Sequence, residues 1–355
     1  MTQLTKEHYW LSVYLYYNEP WEHFLTKAVE PYIRTTLDTG IADRFFFIRY
    51  WDRGPHIRLR IRGRADVIQP LVKPNLEEHF LSYFDSKPSK RTEPNYPAAF
   101  PAALKWLPNN TVQYIAYEPE VERYGGGTGI QLAESHFHLS SSCILELLRT
   151  NGGDWHYDDA MGAAIKLHLS FAAAVGWNAQ EAFWFFRFYF YNWLPHSFRY
   201  FHKRLSQQEY LEQAGETLDA FRLAFEAQKE LLLPYHASLW EALTDEEAEF
   251  EEALLNRWIS GNRSIASQLE QAFQAGQISN RPFDYEFNPQ LRQTLSEQDM
   301  TRWMLYADYL HMTNNRLGIL NKDEGYLAYL IKECLKELFF QSEGRERLQD
   351  YVKSY

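Results

Sequence analysis

The sequence predicts an α+β fold: an N-terminal ferredoxin-like β-α-β-β-α-β portion over residues 1–128, then a mostly helical portion over residues 129–355. Three observations predict it. In "HIRLRIRG" (56–63), Ile57, Leu59 and Ile61 alternate with His56, Arg58, Arg60 and Arg62, and side chains on a strand point alternately to opposite faces. Four strand-like runs with two helix-like segments between them precede residue 120, in the ferredoxin-like order. From about residue 129 the apolar spacing becomes helical.

Each element has its own warrant. "YWLSVYLYY" (9–17) reads as the first strand. "EPWEHFLTKAVEPYIRTTLDTG" (19–40) reads as a helix, with Pro20 suited to its first turn and Gly40 to its end. "DRFFFIRYW" (43–51) is the second strand, "DRGP" a turn and "HIRLRIRG" the third strand, so these two form a hairpin. "ADVIQPLVKPNLEEHFLSYF" (65–84) is an interrupted helix, and "TVQYIAYEP" (111–119) the fourth strand. The prolines and polar residues of 85–110 mark an insertion or mobile loop, a candidate contact for a partner or simply a tolerated surface insertion. Helices follow over 130–150, 158–176, 206–233, 244–261, 295–320 and 322–341. The one at 244–261 carries an acidic first turn, which suits the helix dipole. Ser296 is an N-cap and Gly318 a stop. "AFWFFRFYFYNWL" (182–194) is too short to span a bilayer and contains Arg187, so it reads as a buried aromatic helix.

Composition excludes several classes. The 355 residues are 45% hydrophobic, enough for one large or two ordinary domains. Aromatics at 17% imply wide packed surfaces or a large groove. A net charge of −11 makes a poor general nucleic-acid binder, because phosphate contacts dominate that affinity. The two cysteines, Cys143 and Cys334, are far apart, which fits a reducing, cytoplasmic compartment. The N-terminus lacks the apolar run of a signal peptide. The acidic cluster Asp245–Glu252 reads as a solvated helix face.

The common catalytic motifs are absent from the sequence: no P-loop, zincin, serine-hydrolase elbow or dinucleotide fingerprint. "HFH" (136–138) would point its imidazoles apart on a helix, so no metal is expected. Three stretches remain. The arginine strand needs carboxylates or a bound anion among its guanidiniums. "YEPEVERYGGG" (117–127) places three carboxylates and Arg123 before glycines that let the backbone turn tightly. "YLHMTNNRLG" (309–318) puts His311 and Asn315 one turn apart on a helix, with Asn314 nearby and Arg316 pointing elsewhere. Each has a plain reading: an ion ladder from Arg58, Arg60 and Arg62 to Glu118, Glu120 and Glu122, a turn at Gly125–Gly127, and a core histidine. Together they are equipment for a β-elimination, with guanidiniums to stabilise a departing carboxylate and an imidazole to move a proton.

Taken together, "FFFIRYWDRGPHIRLRIRG" (45–63), "YEPEVERYGG" (117–126) with "AESHFHLSS" (133–141), and "LHMTNNRLG" (310–318) resemble the C-terminal elimination domain of lantibiotic dehydratases, also called the thiopeptide-type bacteriocin biosynthesis domain. The likeness frames roughly residues 9–340, so the two portions make one elimination-domain unit. It implies removal of glutamate from glutamylated Ser or Thr of a precursor peptide, leaving dehydroalanine or dehydrobutyrine. The family's elimination residues fall on Arg58, Arg60, Arg123 and His311, with Arg62, Tyr124 and Asn315 as substrate-binding neighbours. Arg62, beside Gly63 at the strand end, also has a purely structural reading. No cofactor is implied. The implied partners are a precursor peptide with its leader, a separate glutamyl-tRNA-dependent glutamylating protein because the large glutamylation domain is missing, and a second copy in a homodimer. No membrane and no direct nucleic-acid contact are expected. Two alternatives stay open: a thiopeptide pyridine synthase, which joins two dehydroalanines by a formal [4+2] cycloaddition and sheds the leader, and a non-catalytic module that binds modified peptide.

Overall fold

The computed structural model describes residues 8–152, 154–198, 205–245, 250–283 and 295–340. Residues 246–249 of the acidic cluster Asp245–Glu252 lie outside the described residues. The fold is mixed α+β and divides into two compact units, one of Met1–Glu120 with Glu134–His156, the other of Val121–Ala133 with Tyr157–Tyr355.

The first unit is built on a four-stranded sheet of order β2-β3-β1-β4. Its strands are β1 (His8–Tyr16), β2 (Arg44–Tyr50), β3 (His56–Arg64) and β4 (Thr111–Tyr114). Every neighbouring pair is antiparallel. The register places Leu11, Val13, Phe45 and Phe47 across from Ile61 and Leu59, so one face is continuous apolar core. The opposite face sets Ser12 and Phe46 across from Arg60, and Tyr14 and Ile48 across from Arg58. β4 is shorter than the sequence predicts: it ends at Tyr114, and 115–118 leave the sheet ahead of Pro119.

Two helical segments fill the crossovers. α1 comprises Glu22–Phe24, a π turn Leu25–Val29 and Glu30–Asp38. α2 comprises Ala65–Val67, a π turn Ile68–Val72 and Lys73–Ser86. A proline lies just past each π turn, at Pro31 and Pro74. A proline has no N–H to give, and a widened turn accommodates the missing bond. Pro20 is not in the first turn of α1 but two residues ahead of it, because the helix starts only at Glu22. The 85–110 insertion is tied down: Leu107 donates its N–H to Arg53 O at 2.9 Å, Arg91 donates to Leu107 O at 2.8 Å, and Asn18 donates to Lys90 O at 2.7 Å.

The outer edge of the sheet is covered by α3 (Gly127–Thr150). The Phe47 N–H donates to Ser141 Oγ at 3.2 Å and the Phe45 N–H faces His138 Nδ1 at 3.3 Å, so β2 does not present a free edge here.

The second unit is helical: α4 (Tyr157–Ala174), α5 (Ala179–Phe198), α6 (Gln207–Thr244), α7 (Ala253–Gln274), α8 (Glu297–Leu317) and α9 (Asn321–Phe339). α7 begins at Ala253, later than the sequence predicts, with Glu252 as its N-cap residue and no acid in its first turn. Ser296 caps α8 by accepting the Asp299 N–H at 3.1 Å, and Gly318 ends it at φ +91°. α5 is the aromatic helix, and α9 lies against it. A Cβ on Gly325 would meet Ser197 Oγ at 2.9 Å and the Leu194 backbone at 3.4 Å, so glycine is what permits the approach. Among the described residues no helix is long and apolar enough to cross a membrane.

Candidate functional site

In the first unit, β3 delivers Arg58, Arg60 and Arg62 to one face, and their environments differ. His56 is fully buried, stacked on Tyr14 at 5.0 Å and Tyr16 at 4.5 Å, and burial pushes its pKa down to about 4. The neutral ring donates from Nδ1 to Gly54 O at 2.8 Å, which leaves Nε2 to accept the Arg58 Nε–H at 3.2 Å. The Arg58 guanidinium lies 3.4 Å above the Tyr50 ring and 4.6 Å from that of Tyr14. Its nearest carboxylate is the exposed Asp52, at 4.0 Å.

Arg60 is 5% exposed and ringed by aromatics, with its Cζ 4.9 Å from Tyr117, 5.4 Å from Phe46 and 5.9 Å from Tyr14. Burial lowers its pKa, partly opposed by Tyr14 and Tyr117. Its Nε and Nη1 have no hydrogen-bond acceptor, and it forms no ion pair among the described residues. Opposite it, Ser12 is buried with its hydroxyl unpaired. Arg62 is chelated by Asp43 through Nε and Nη2, both at 2.8 Å. The predicted ladder to Glu118 and Glu120 is therefore not what the arginines make. Asp52 and Asp43, at the ends of the hairpin strands, take those places, because β4 stops at Tyr114 and carries no carboxylate across from β3.

In the second unit, Arg123 and the Gly125–Gly126 turn form a compact piece. Gly125 (φ +76°) and Gly126 (φ +109°) adopt left-handed conformations, and Gly125 O accepts the Ser279 N–H at 2.8 Å. Tyr124 is 2% exposed and stacked on Tyr309, so its ring belongs to the packing beneath the turn. Arg123 donates to Asp308 Oδ1 at 2.7 Å, and Arg281 closes on Oδ2 of the same carboxylate at 2.5 Å. Asp308 and His311 are three residues apart on α8, hence neighbours on its surface. The chain thus brings Arg123 and His311 to one stretch of helix, with Asn315 one turn further on.

His311 is held on two sides. Its ring stacks on Trp193 of α5 at 4.5 Å, with 25° between planes. Its Nδ1 is 2.8 Å from Oε1 of Glu324, a fully buried residue in the first turn of α9. Oε2 of Glu324 accepts the Tyr189 hydroxyl at 2.6 Å and Asn314 Nδ2 at 3.0 Å. Asn314 Oδ1 in turn faces His168 Nε2 at 2.9 Å. Burial pushes His168 down to about 3, so that ring is neutral and donates. Arg316 is fully buried and donates to Met312 O at 2.7 Å.

Sequence reasoning missed Glu324, Tyr189, His168, Asp308 and Arg281. A signal existed for Glu324: it falls on the apolar stripe Leu327, Ala328, Ile331, Leu335 of α9, where a lone acid implies a buried partner. Among the described residues no cluster of three His, Cys, Asp or Glu side chains is arranged to hold a metal ion.

Comparison with known proteins gives a consistent result. The family described as lantibiotic biosynthesis dehydratase C-term matches residues 10–335. The chain is 29% identical over 169 residues to the nisin biosynthesis protein NisB of Lactococcus lactis subsp. lactis, a match covering 45% of this chain and 14% of that protein. It is 27% identical over 147 residues to the subtilin biosynthesis protein SpaB of Bacillus subtilis, covering 39% and 12%. The matches thus span about one seventh of these relatives or less. Among solved structures, the pyridine synthase TbtD from thiomuracin biosynthesis superposes with a TM-score of 0.71 at 16% identity, covering 94% of this chain and 99% of that one. The tRNA-dependent lantibiotic dehydratase MibB of Microbispora sp. 107891 superposes with a TM-score of 0.60 at 20% identity, covering 97% and 29%. At these identities the structural likeness speaks to the fold.

Proposed function

Because the chain belongs to the lantibiotic biosynthesis dehydratase C-terminal family, we propose that it catalyses β-elimination of glutamate from glutamylated Ser or Thr in a precursor peptide. The products are glutamate and a dehydroalanine or dehydrobutyrine residue. The substrate must come from a reaction that esterifies the Ser or Thr hydroxyl with the glutamyl α-carboxyl group.

The observation that carries this reading is Arg60. A buried guanidinium with two nitrogens lacking acceptors is costly unless an anion completes it. A glutamyl carboxylate supplies that anion. Arg60 and Arg58 grip it, His56 and Tyr50 hold Arg58 in place, and Arg62, chelated by Asp43, fixes the strand end beside them. Arg123 offsets charge on the leaving group, with Asn315 as a peptide contact, and His311 transfers the proton. Positioned guanidiniums can each contribute about 10²–10³ in rate and a positioned acid or base about 10²–10⁴.

We also read the first unit as ferredoxin-like. Its all-antiparallel order β2-β3-β1-β4, with α1 and α2 in the crossovers, supports this.

The deciding experiment supplies purified protein with a synthetic peptide bearing a glutamyl-serine ester and follows loss of glutamate by mass spectrometry. Conversion to dehydroalanine that disappears in Arg60→Ala and His311→Ala is the expected result. An intact ester, together with cyclisation of a peptide carrying two dehydroalanines, would replace this reading with the pyridine synthase one.

A further inference from the structure

The hydrogen bonds around Glu324 determine which ring nitrogen of His311 carries the proton. Burial beside Glu324 raises the Tyr189 pKa far above the ordinary tyrosine value, so the hydroxyl keeps its hydrogen and donates it to Oε2. Asn314 is oriented by its other end. The neutral His168 offers Nε2–H to Oδ1, so the Asn314 amide group faces Glu324 and donates as well. Both neighbours thus treat Glu324 as an acceptor. Both donate to Oε2, and with Glu324 as the carboxylate its Oε1 can only accept from His311, so Nδ1 carries the hydrogen. The other nitrogen, Nε2, has no hydrogen-bond partner among the described residues. Stacking on Trp193 keeps the ring from rotating away.

We infer that Glu324 is a positioning residue that locks His311 as the Nδ1–H tautomer, so that Nε2 presents a lone pair and His311 acts as the base of the reaction. This rests on the elimination reading and assigns a direction to its proton transfer. Nε2 takes the Cα proton of the esterified residue. The C–H electron pair becomes the Cα–Cβ double bond, the Cβ–O bond breaks, and its electrons leave with the glutamyl α-carboxylate. The imidazolium that forms is offset by Glu324 and returns its proton to water after release. Asn314 and Tyr189 hold the carboxylate, and Gly325 lets α9 come close enough to present it.

The test uses the full chain with ¹⁵N-labelled histidine, the His311 signals being identified by their loss in His311→Ala. The wild type should show a protonated Nδ1 and a pyridine-like Nε2 at neutral pH. In Glu324→Gln, Tyr189 and Asn314 still require an acceptor, so the carboxamide oxygen turns to them and its NH₂ faces His311. The tautomer should invert, and kcat on the glutamyl-serine peptide should fall by about 10²-fold or more, with KM within about threefold. Glu324→Asp should keep the tautomer and recover part of the rate. A Cα-deuterated substrate should turn over more slowly with the wild type. A wild-type His311 protonated on Nε2, or a tautomer unchanged in Glu324→Gln, overturns the positioning claim. The wild-type spectrum decides even if the variant does not fold. Absence of glutamate release by wild type overturns the elimination reading and the base role with it, whichever tautomer the spectrum shows.

Discussion

Arg123 Nη2 lies 2.7 Å from Asp308 Oδ1, and the other oxygen of that carboxylate is taken by Arg281. Arg123 is thus not a free surface arginine but one of two guanidiniums sharing a carboxylate on the helix that carries His311. Removing the charge should expose what the arrangement does. Asp308→Asn leaves two cations side by side with one neutral acceptor, and stability should fall by about 1–3 kcal/mol. Elimination should fall further than stability accounts for, because Arg123 loses its direction. Urea unfolding and turnover on the ester peptide, measured on the same preparations, would show both; an Asp308→Asn protein of unchanged activity would remove Arg123 from the mechanism.

Arg60 should separate stability from function. Its guanidinium is buried without a carboxylate, and replacing buried charge by apolar bulk is often neutral or stabilising by about 1–4 kcal/mol. Arg60→Met, which fits among Tyr14, Phe46 and Tyr117, should therefore keep or raise the melting temperature. It should also abolish glutamate release, a loss of about 10²-fold or more. A clear drop in stability with activity retained would show that the arginine serves the fold alone.

Histidine burial sets an acid limit on the fold. His56 is lowered from 6.5 to about 4 and His168 from 6.5 to about 3, both chiefly by burial. In the unfolded chain each binds its proton near pH 6.5, and in the folded chain only near or below pH 4. The unfolded state therefore holds more protons across that window. Stability is full above pH 6.5 and is lost as pH falls toward 4. For His56 alone the shift corresponds to roughly 3 kcal/mol. Urea midpoints measured from pH 7 to pH 4 should fall steeply, and less steeply in His56→Phe. An identical slope in that variant would show that His56 takes no part in the acid transition.

The sequence made the sheet legible because alternation on β3 is strict and both hairpin partners are aromatic or β-branched; Ile57, Leu59 and Ile61 can face only a core. The arginines' partners were less legible. Glu118 and Glu120 stand in a denser acidic run than Asp43 or Asp52, but β4 ends four residues before the first of them. The His311 network was least legible, since Tyr189 sits in a run of rings and Glu324 among the other charges of "NKDEGYLAYLIKE". Their pairing depends on how closely α9 meets α5, which no local pattern encodes. The same limit explains α7, whose acidic flank reads as a helix start while the capping position lies at Glu252.

That close approach can be tested at Gly325. Its missing Cβ leaves 2.9 Å to Ser197 Oγ and 3.4 Å to the Leu194 backbone. Gly325→Ala must push α9 outward or displace Ser197, which itself donates to Lys322 O at 2.7 Å. Gain of helix propensity offsets part of the strain, since alanine is favoured over glycine by about 1 kcal/mol in a helix interior. The melting temperature should accordingly change little. Turnover should fall by about tenfold, because a shift of a few tenths of an ångström loosens Glu324 from His311. Ser197→Ala in the same chain removes the nearest obstacle, so the double variant should recover most of the activity and show non-additivity. If the two substitutions simply add, the helix contact does not tune His311, and the dyad is held by Asn314 and Tyr189 alone.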